Sequence, residues 1–195
     1  MDRTDNVRIL AISGSLRRTS SNSALVAAVA CLAPATVEVV IYTELETLPP
    51  FNPDLDGDNP PAAIGRFRRA LESCDAVLIS SPEYAHGVPG ALKNALDWLV
   101  GSGELVNKPI ALINASGRAT HAWASLAETL TVMSAHVVPE ASITVPLEGR
   151  APDVNGILGD SRRSRALTNA VEALARAALH FCDGLPGRPP VPGAS

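Results

Sequence analysis

A short apolar run near the start of the chain stops abruptly at a polar loop, and that junction limits the possible folds more than any other feature. Val7-Arg8-Ile9-Leu10-Ala11-Ile12 leads straight into Ser13-Gly14-Ser15-Leu16-Arg17-Arg18-Thr19-Ser20-Ser21-Asn22, and a helical pattern from Ser23 to Ala30 follows at once. Strand, polar loop, helix is the unit from which α/β proteins build a phosphate site. Loop N–H groups, hydroxyl donors and a guanidinium gather there at the positive end of a helix dipole. A charge-assisted bond from Arg17 would contribute roughly 1.5–3 kcal/mol. Asn22 reads as the N-cap of the helix. The loop matches neither GxxxxGK[ST] nor GxGxxG, so it carries no ATP-type or dinucleotide signature. A phosphorylated cofactor held between Ser13 and Asn22 is the expectation.

Four more segments resemble the opening strand: Val37–Tyr42, Ala76–Ser81, Pro109–Asn114, and a weaker Ala135–Val138 that continues to Ile143–Val145. Helical patterns lie between them, over 62–73, 91–100, 122–134 and 161–182. Strands alternating with helices of this length imply βαβ units and a parallel sheet covered on both faces. Five strands and five helices suit the doubly wound order 2-1-3-4-5, in which ligands bind where the strands end, at the switch between strands 1 and 3. The loops after strands 1, 3 and 4 should therefore converge. The Pro-rich stretch from Thr43 to Asn59 is expected to cap the neighbourhood of the site or to form a subunit contact.

With 195 residues and 46% hydrophobic content, the chain is expected to fold as one domain over 1–183. Its Pro/Gly-rich tail, 184–195, has no periodicity and is expected to be disordered. A net charge of −4 offers no basic stripe for nucleic acid. The clusters at Arg66–Arg69 and Arg162–Arg165 are read as solvated helix faces or interface rims. Cys31, Cys74 and Cys182 form no framework, which fits a reducing compartment, and Cys31 and Cys74 are expected to behave as small buried hydrophobes. The charged N-terminus resembles no signal peptide, and no run approaches a membrane span. A cytoplasmic protein without membrane contact is the expectation. His121, His136 and His180 show no ligand spacing with each other or with a cysteine, so no metal site is expected.

The second loop, Ser81-Pro82-Glu83-Tyr84-Ala85-His86-Gly87-Val88-Pro89-Gly90, is stiffened by proline at both ends. Its glycines would let backbone approach a flat ligand, and Tyr84 could pack near a ring. The third, Asn114-Ala115-Ser116-Gly117-Arg118-Ala119-Thr120-His121, again sets small residues after a strand. Gly14-Ser15-Leu16-Arg17 with Ser20 and Asn22, followed by Pro82-Glu83-Tyr84 and Val88-Pro89-Gly90-Ala91-Leu92-Lys93-Asn94-Ala95-Leu96-Asp97-Trp98, resembles the NADPH-dependent FMN reductase family. That family includes FMN, quinone and chromate-type reductases.

The resemblance implies a flavodoxin-like three-layer α/β/α sandwich with FMN as cofactor and NADPH or NADH as co-substrate. Ser15, Arg17, Ser20, Ser21 and Asn22 would hold the FMN phosphate. Pro82, Glu83 and Tyr84 would line the flavin ring, with Ala85, His86 and Gly87 close by, and Ser116 would approach its other edge. Relatives often carry Asn where this chain has His86, and the third loop keeps Gly117 alone of a glycine-rich stretch. Lys93, Asn94 and Asp97 are read as positioning their helix or a subunit contact, Arg118 as a candidate for the NADPH phosphate, and Trp98 and Trp123 as core or interface anchors. The implied activity is transfer of hydride from NADPH through FMN to a quinone, free flavin or other electrophile, in a homodimer or homotetramer. The alternatives are a flavodoxin-type electron carrier without nicotinamide turnover and a cofactor-free sensory or scaffold protein.

Overall fold

A computed structural model of the chain describes residues 6–17, 19–147 and 153–183. The tail expected over 184–195 lies outside them. A parallel sheet forms the centre, with β1 (Val7–Ser13), β2 (Val37–Tyr42), β3 (Ala76–Ser80) and β4 (Pro109–Asn114) in the order β2-β1-β3-β4. The short β5 (His136–Val137) and β6 (Ile143–Thr144) both pair with β4. Among the described residues six helices surround the sheet: α1 (Ser21–Leu32), α2 (Ala62–Glu72), α3 (Gly90–Asp97), α4 (His121–Val132), α5 (Val154–Leu158) and α6 (Ser161–Asp183).

Side-chain alternation along each strand sorts the helices into two layers. Ile9, Ala11, Leu78 and Ile113 face one core with Leu25 and Val29 of α1 and Leu167, Val171 and Leu174 of α6. Leu10, Ile12, Ile79 and Leu112 face the other, with Phe67 of α2, Leu92 of α3 and Leu126 and Leu130 of α4. Burial on both faces explains why β3 and β4 read as continuous apolar runs.

The expected fifth strand is interrupted. Pro139 lacks an N–H to donate, and residues Pro139–Ala141 form a 3-10 turn between β5 and β6. Ser142 fills the resulting gap, its Oγ accepting the Leu112 N–H at 3.1 Å. The five-residue helix α5 was not foreseen, because Gly156 and Gly159 mask its pattern. Asp153 caps it by accepting the Gly156 N–H at 2.9 Å, and Ile157 is fully buried.

Two further expectations are corrected. Cys31 is exposed, since it falls on the outer side of the last turn of α1, whereas Cys74 is buried as expected. Arg68 is no solvated charge: its side chain is 13% exposed and its Nη2 bonds Asp56 at 2.7 Å. The 43–59 stretch begins beside the exits of β1 and β2, where Thr43, Leu45 and Glu46 line a hollow with Ser13 and Ser15. Leu45 and Leu48 anchor it in the α2/α3 core, and the Trp98 indole N–H of the α3 C-cap donates to the Pro49 carbonyl at 2.8 Å. Asn94 adds a bond in each direction, donating to the same carbonyl at 2.9 Å and accepting the Phe51 N–H at 2.7 Å. Asn94 and Trp98 therefore have the positioning and core roles read from the sequence.

Candidate functional site

Parallel register brings β1, β3 and β4 to an end together: Ser13 lies opposite Ser80, and Ser80 opposite Ile113. The loops that follow them enclose a cleft of about 400 Å³, within the range of roughly 300–1,000 Å³ that small-molecule sites occupy. Among the described residues, the buried polar side chains are Ser15, Asn22, Ser80 and Asn114. All four sit at this end of the sheet. Burying a hydroxyl or amide costs free energy unless it is bonded, so their concentration here marks a built polar site.

The first loop is held shut by its own hydroxyls. The Ser15 N–H donates to Ser13 Oγ at 3.3 Å, and Ser13 Oγ pairs with Ser23 Oγ at 3.0 Å. Gly14 lets β1 pass close to the second loop, for a Cβ there would stand 2.8 Å from Ser81 Oγ and 3.0 Å from a Leu92 methyl. The N-cap of α1 is Ser20 rather than Asn22, with Ser20 Oγ accepting the Asn22 N–H at 3.2 Å. Asn22 is already helical and turns its Oδ1 inward to accept the Ser80 hydroxyl at 3.0 Å. That bond leaves the amide nitrogen as the Asn22 group able to donate elsewhere. The first turn of α1 carries no acidic residue, so nothing opposes an anion at its N-terminus.

The second loop turns back on itself. Tyr84 and Gly87 exchange backbone bonds of 3.1 and 2.9 Å, which places Ala85 and His86 in a tight turn with φ of 49° and 62°. Asn and His both adopt positive φ more readily than most residues, so His86 fits the turn where the resemblance favours Asn. The Glu83 carboxylate points across to the third loop, and its Oε2 accepts the Ala122 N–H at 2.8 Å. Thr120 gives α4 no side-chain cap, so a different loop supplies one. The Ala122 N–H is the main reason the Glu83 carboxyl is held below its ordinary pKa, with smaller help from the His121 charge and the His86 bond, against a raising effect of burial.

Asn114 stitches the third loop together, accepting the Ser116 N–H at 3.0 Å and donating to the Ala119 carbonyl at 2.9 Å. The Ser116 hydroxyl accepts the Arg118 N–H at 3.3 Å.

Ser15, Arg17, Ser20, Ser21, Asn22, Pro82, Glu83, Tyr84 and Ser116 all line the cleft, together with Arg118. Ala85, His86 and Gly87 do not: the turn carries them past its rim. Thr19, Ser81, Asn114, Ala115, Ala119 and Leu147 also line it. Position at a strand's exit could have identified Ser81 and Asn114. Leu147 had no sequence signal, because it arrives through the Val145 and Leu147 N–H bonds to the Asn114 and Ala115 carbonyls. The histidines, unremarkable in their spacing, are brought together in one case, with the His86 and His121 rings 4.4 Å apart.

The donor set fits FMN. The loop after β1 brings hydroxyls, Arg17 and the α1 N-terminus to the cleft, and the loops after β3 and β4 bring Pro82, Glu83, Tyr84 and Ser116. The first set suits a phosphate and the second a flat ring.

Known proteins agree with this geometry. The chain matches the model of the NADPH-dependent FMN reductase family over residues 7–148. It is 32% identical over 176 residues to the NAD(P)H-dependent FMN reductase PA1204 of Pseudomonas aeruginosa, covering 88% of this chain and 95% of that protein. A quinone reductase of Pseudomonas putida is 39% identical over 111 residues, 55% of this chain and 59% of its own length. The solved structure of FerB, a flavoenzyme NAD(P)H:(acceptor) oxidoreductase of Paracoccus denitrificans, superposes with a TM-score of 0.72 at 26% identity, covering 90% of this chain and 98% of that one. The fold, its strand order and the extent of these matches lead to one assignment: this chain belongs to the NADPH-dependent FMN reductase family.

Proposed function

We propose that the chain is an FMN-dependent NAD(P)H oxidoreductase that passes reducing equivalents to a quinone-type acceptor. The observation that carries this reading is the convergence of three strand-exit loops on one polar cleft, the first of them rich in hydroxyls and carrying Arg17 at the N-terminus of α1. Bound FMN supplies the redox chemistry, taking electrons from the nicotinamide and giving them to the acceptor. What the chain contributes is binding, orientation and charge.

Arg17, Ser15, Ser20, Ser21 and the Asn22 amide hold the phosphate at the N-terminus of α1. Arg17 is exposed while Ser15 and Asn22 are buried, so the buried pair fixes the loop and the guanidinium closes over the ligand from outside. Pro82, Glu83, Tyr84 and Ser116 would hold the ring. Ala85, His86 and Gly87 carry the turn at the rim. The Tyr84 side is open, with half of that residue exposed, which leaves a face for the nicotinamide and then for a flat acceptor. Arg118, on the wall of the cleft, is placed to meet the nicotinamide cofactor's phosphate.

The same reading puts the protein in the cytoplasm, where nicotinamide is supplied, as a homodimer or homotetramer. Among the described residues no helix is long and apolar enough to cross a membrane.

Anaerobic mixing of the FMN-loaded protein with NADPH is the test. The yellow absorbance should bleach and then return when a benzoquinone is added. Colour that persists through excess NADPH and NADH would overturn the assignment.

A further inference from the structure

Glu83, His86 and His121 come from two different loops, yet one ligand atom from each lies within 4.8 Å of the other two. The geometry points to a binding site for a single divalent transition ion of the zinc, cobalt or nickel kind, held by Glu83 Oε1, His86 and His121 at the rim of the cleft.

Glu83 is already oriented for this. Its Oε2 is committed to the Ala122 N–H at 2.8 Å, and its Oε1 faces His86 Nδ1 at 3.1 Å. Two donors on a tetrahedral ion, each about 2.0–2.1 Å from it, stand about 3.3 Å apart. The observed pair is therefore close to a ligand edge before any ion arrives. The Ala122 N–H would act as the outer partner that metal-bound carboxylates usually have.

His121 opens α4 and lies beside the His86 ring. The His86 side chain is 76% exposed, so its rotation to complete the set meets no packing. The helix N-terminus by itself disfavours a cation, but the Glu83 carboxylate sets a negative charge there, with one oxygen on the Ala122 N–H. Two imidazoles with one carboxylate suit borderline ions, whereas magnesium and calcium prefer oxygen alone. Three protein ligands leave a fourth position for water or a small anion. An ion held there ties the Tyr84–Gly87 turn to the start of α4, across the mouth of the cleft.

The test is calorimetric titration of zinc chloride into tag-free, EDTA-washed, FMN-loaded protein. One ion per chain should bind, magnesium chloride should give no signal, and His121→Ala should weaken zinc binding at least tenfold. His121→Gln should do the same, and circular dichroism and flavin absorbance check that both variants remain folded and loaded. Absence of zinc binding would overturn the site. So would zinc affinity unchanged in a folded His121 variant, because the ion would then be held elsewhere, or equal binding of magnesium.

Discussion

One oxygen of the Glu83 carboxylate accepts the Ala122 N–H and the other faces His86, and this arrangement sets a pH dependence. The folded protein lowers the Glu83 pKa, chiefly through the Ala122 N–H, below the usual carboxylate value of about 4.3. A carboxyl depressed on folding contributes stability that is complete above its unfolded pKa and is lost as pH falls through the folded one. Glu83→Gln should therefore unfold at a lower temperature than the parent at pH 7, with the gap narrowing as pH falls below about 4.3. Thermal melts across that range would show it, and a gap that stays constant to pH 3 would refute it. Linear reading placed Glu83 beside a flavin ring. It could not show the capping role, because the N–H that Glu83 satisfies lies 39 residues away in sequence.

Elements with strong periodicity were legible, and those that depend on a partner from elsewhere were not. The patterns over 62–73 and 161–182 correspond closely to α2 and α6, since Phe67, Leu71, Val171 and Leu174 repeat at helical spacing on a buried side. The start of α1 was misread by two residues, because Ser20 and Asn22 are both good caps and only the fold sends the Asn22 amide to Ser80. The role of α3 as an anchor for the 43–59 stretch depends on contacts more than 40 residues distant in sequence. Asn94 serves both directions of that contact, so Asn94→Ala leaves the Phe51 N–H without its acceptor and takes one donor from the Pro49 carbonyl. A loss of about 0.5–1.5 kcal/mol is expected, measurable by chemical denaturation. A change below about 0.5 kcal/mol would show the stretch to be held by Leu45, Leu48 and the Trp98 bond without help from Asn94.

At the scale of the whole molecule, the doubly wound order followed from the number and alternation of strands and helices, and the site's location followed from that order. The outline of the cleft did not, because the second loop bonds to itself at Tyr84 and Gly87 and lifts its tip away from the wall. A ligand gripped by three loops from three strands should stabilise the molecule as a unit. At a free FMN concentration 100 times Kd the gain is about 2.7 kcal/mol, or a rise in Tm of roughly 5–11 °C for a chain of this size. A melt indifferent to FMN would deny that these loops close on it.

The split pairing along β4 has its own consequence for assembly. A sheet margin made of two dipeptide rungs, with a proline turn between them and a serine hydroxyl plugging the vacancy, presents no continuous row of amides for a neighbouring chain to zip onto. On that flank the molecule is blunted against strand addition, and copies that associate there must do so through helices and loops.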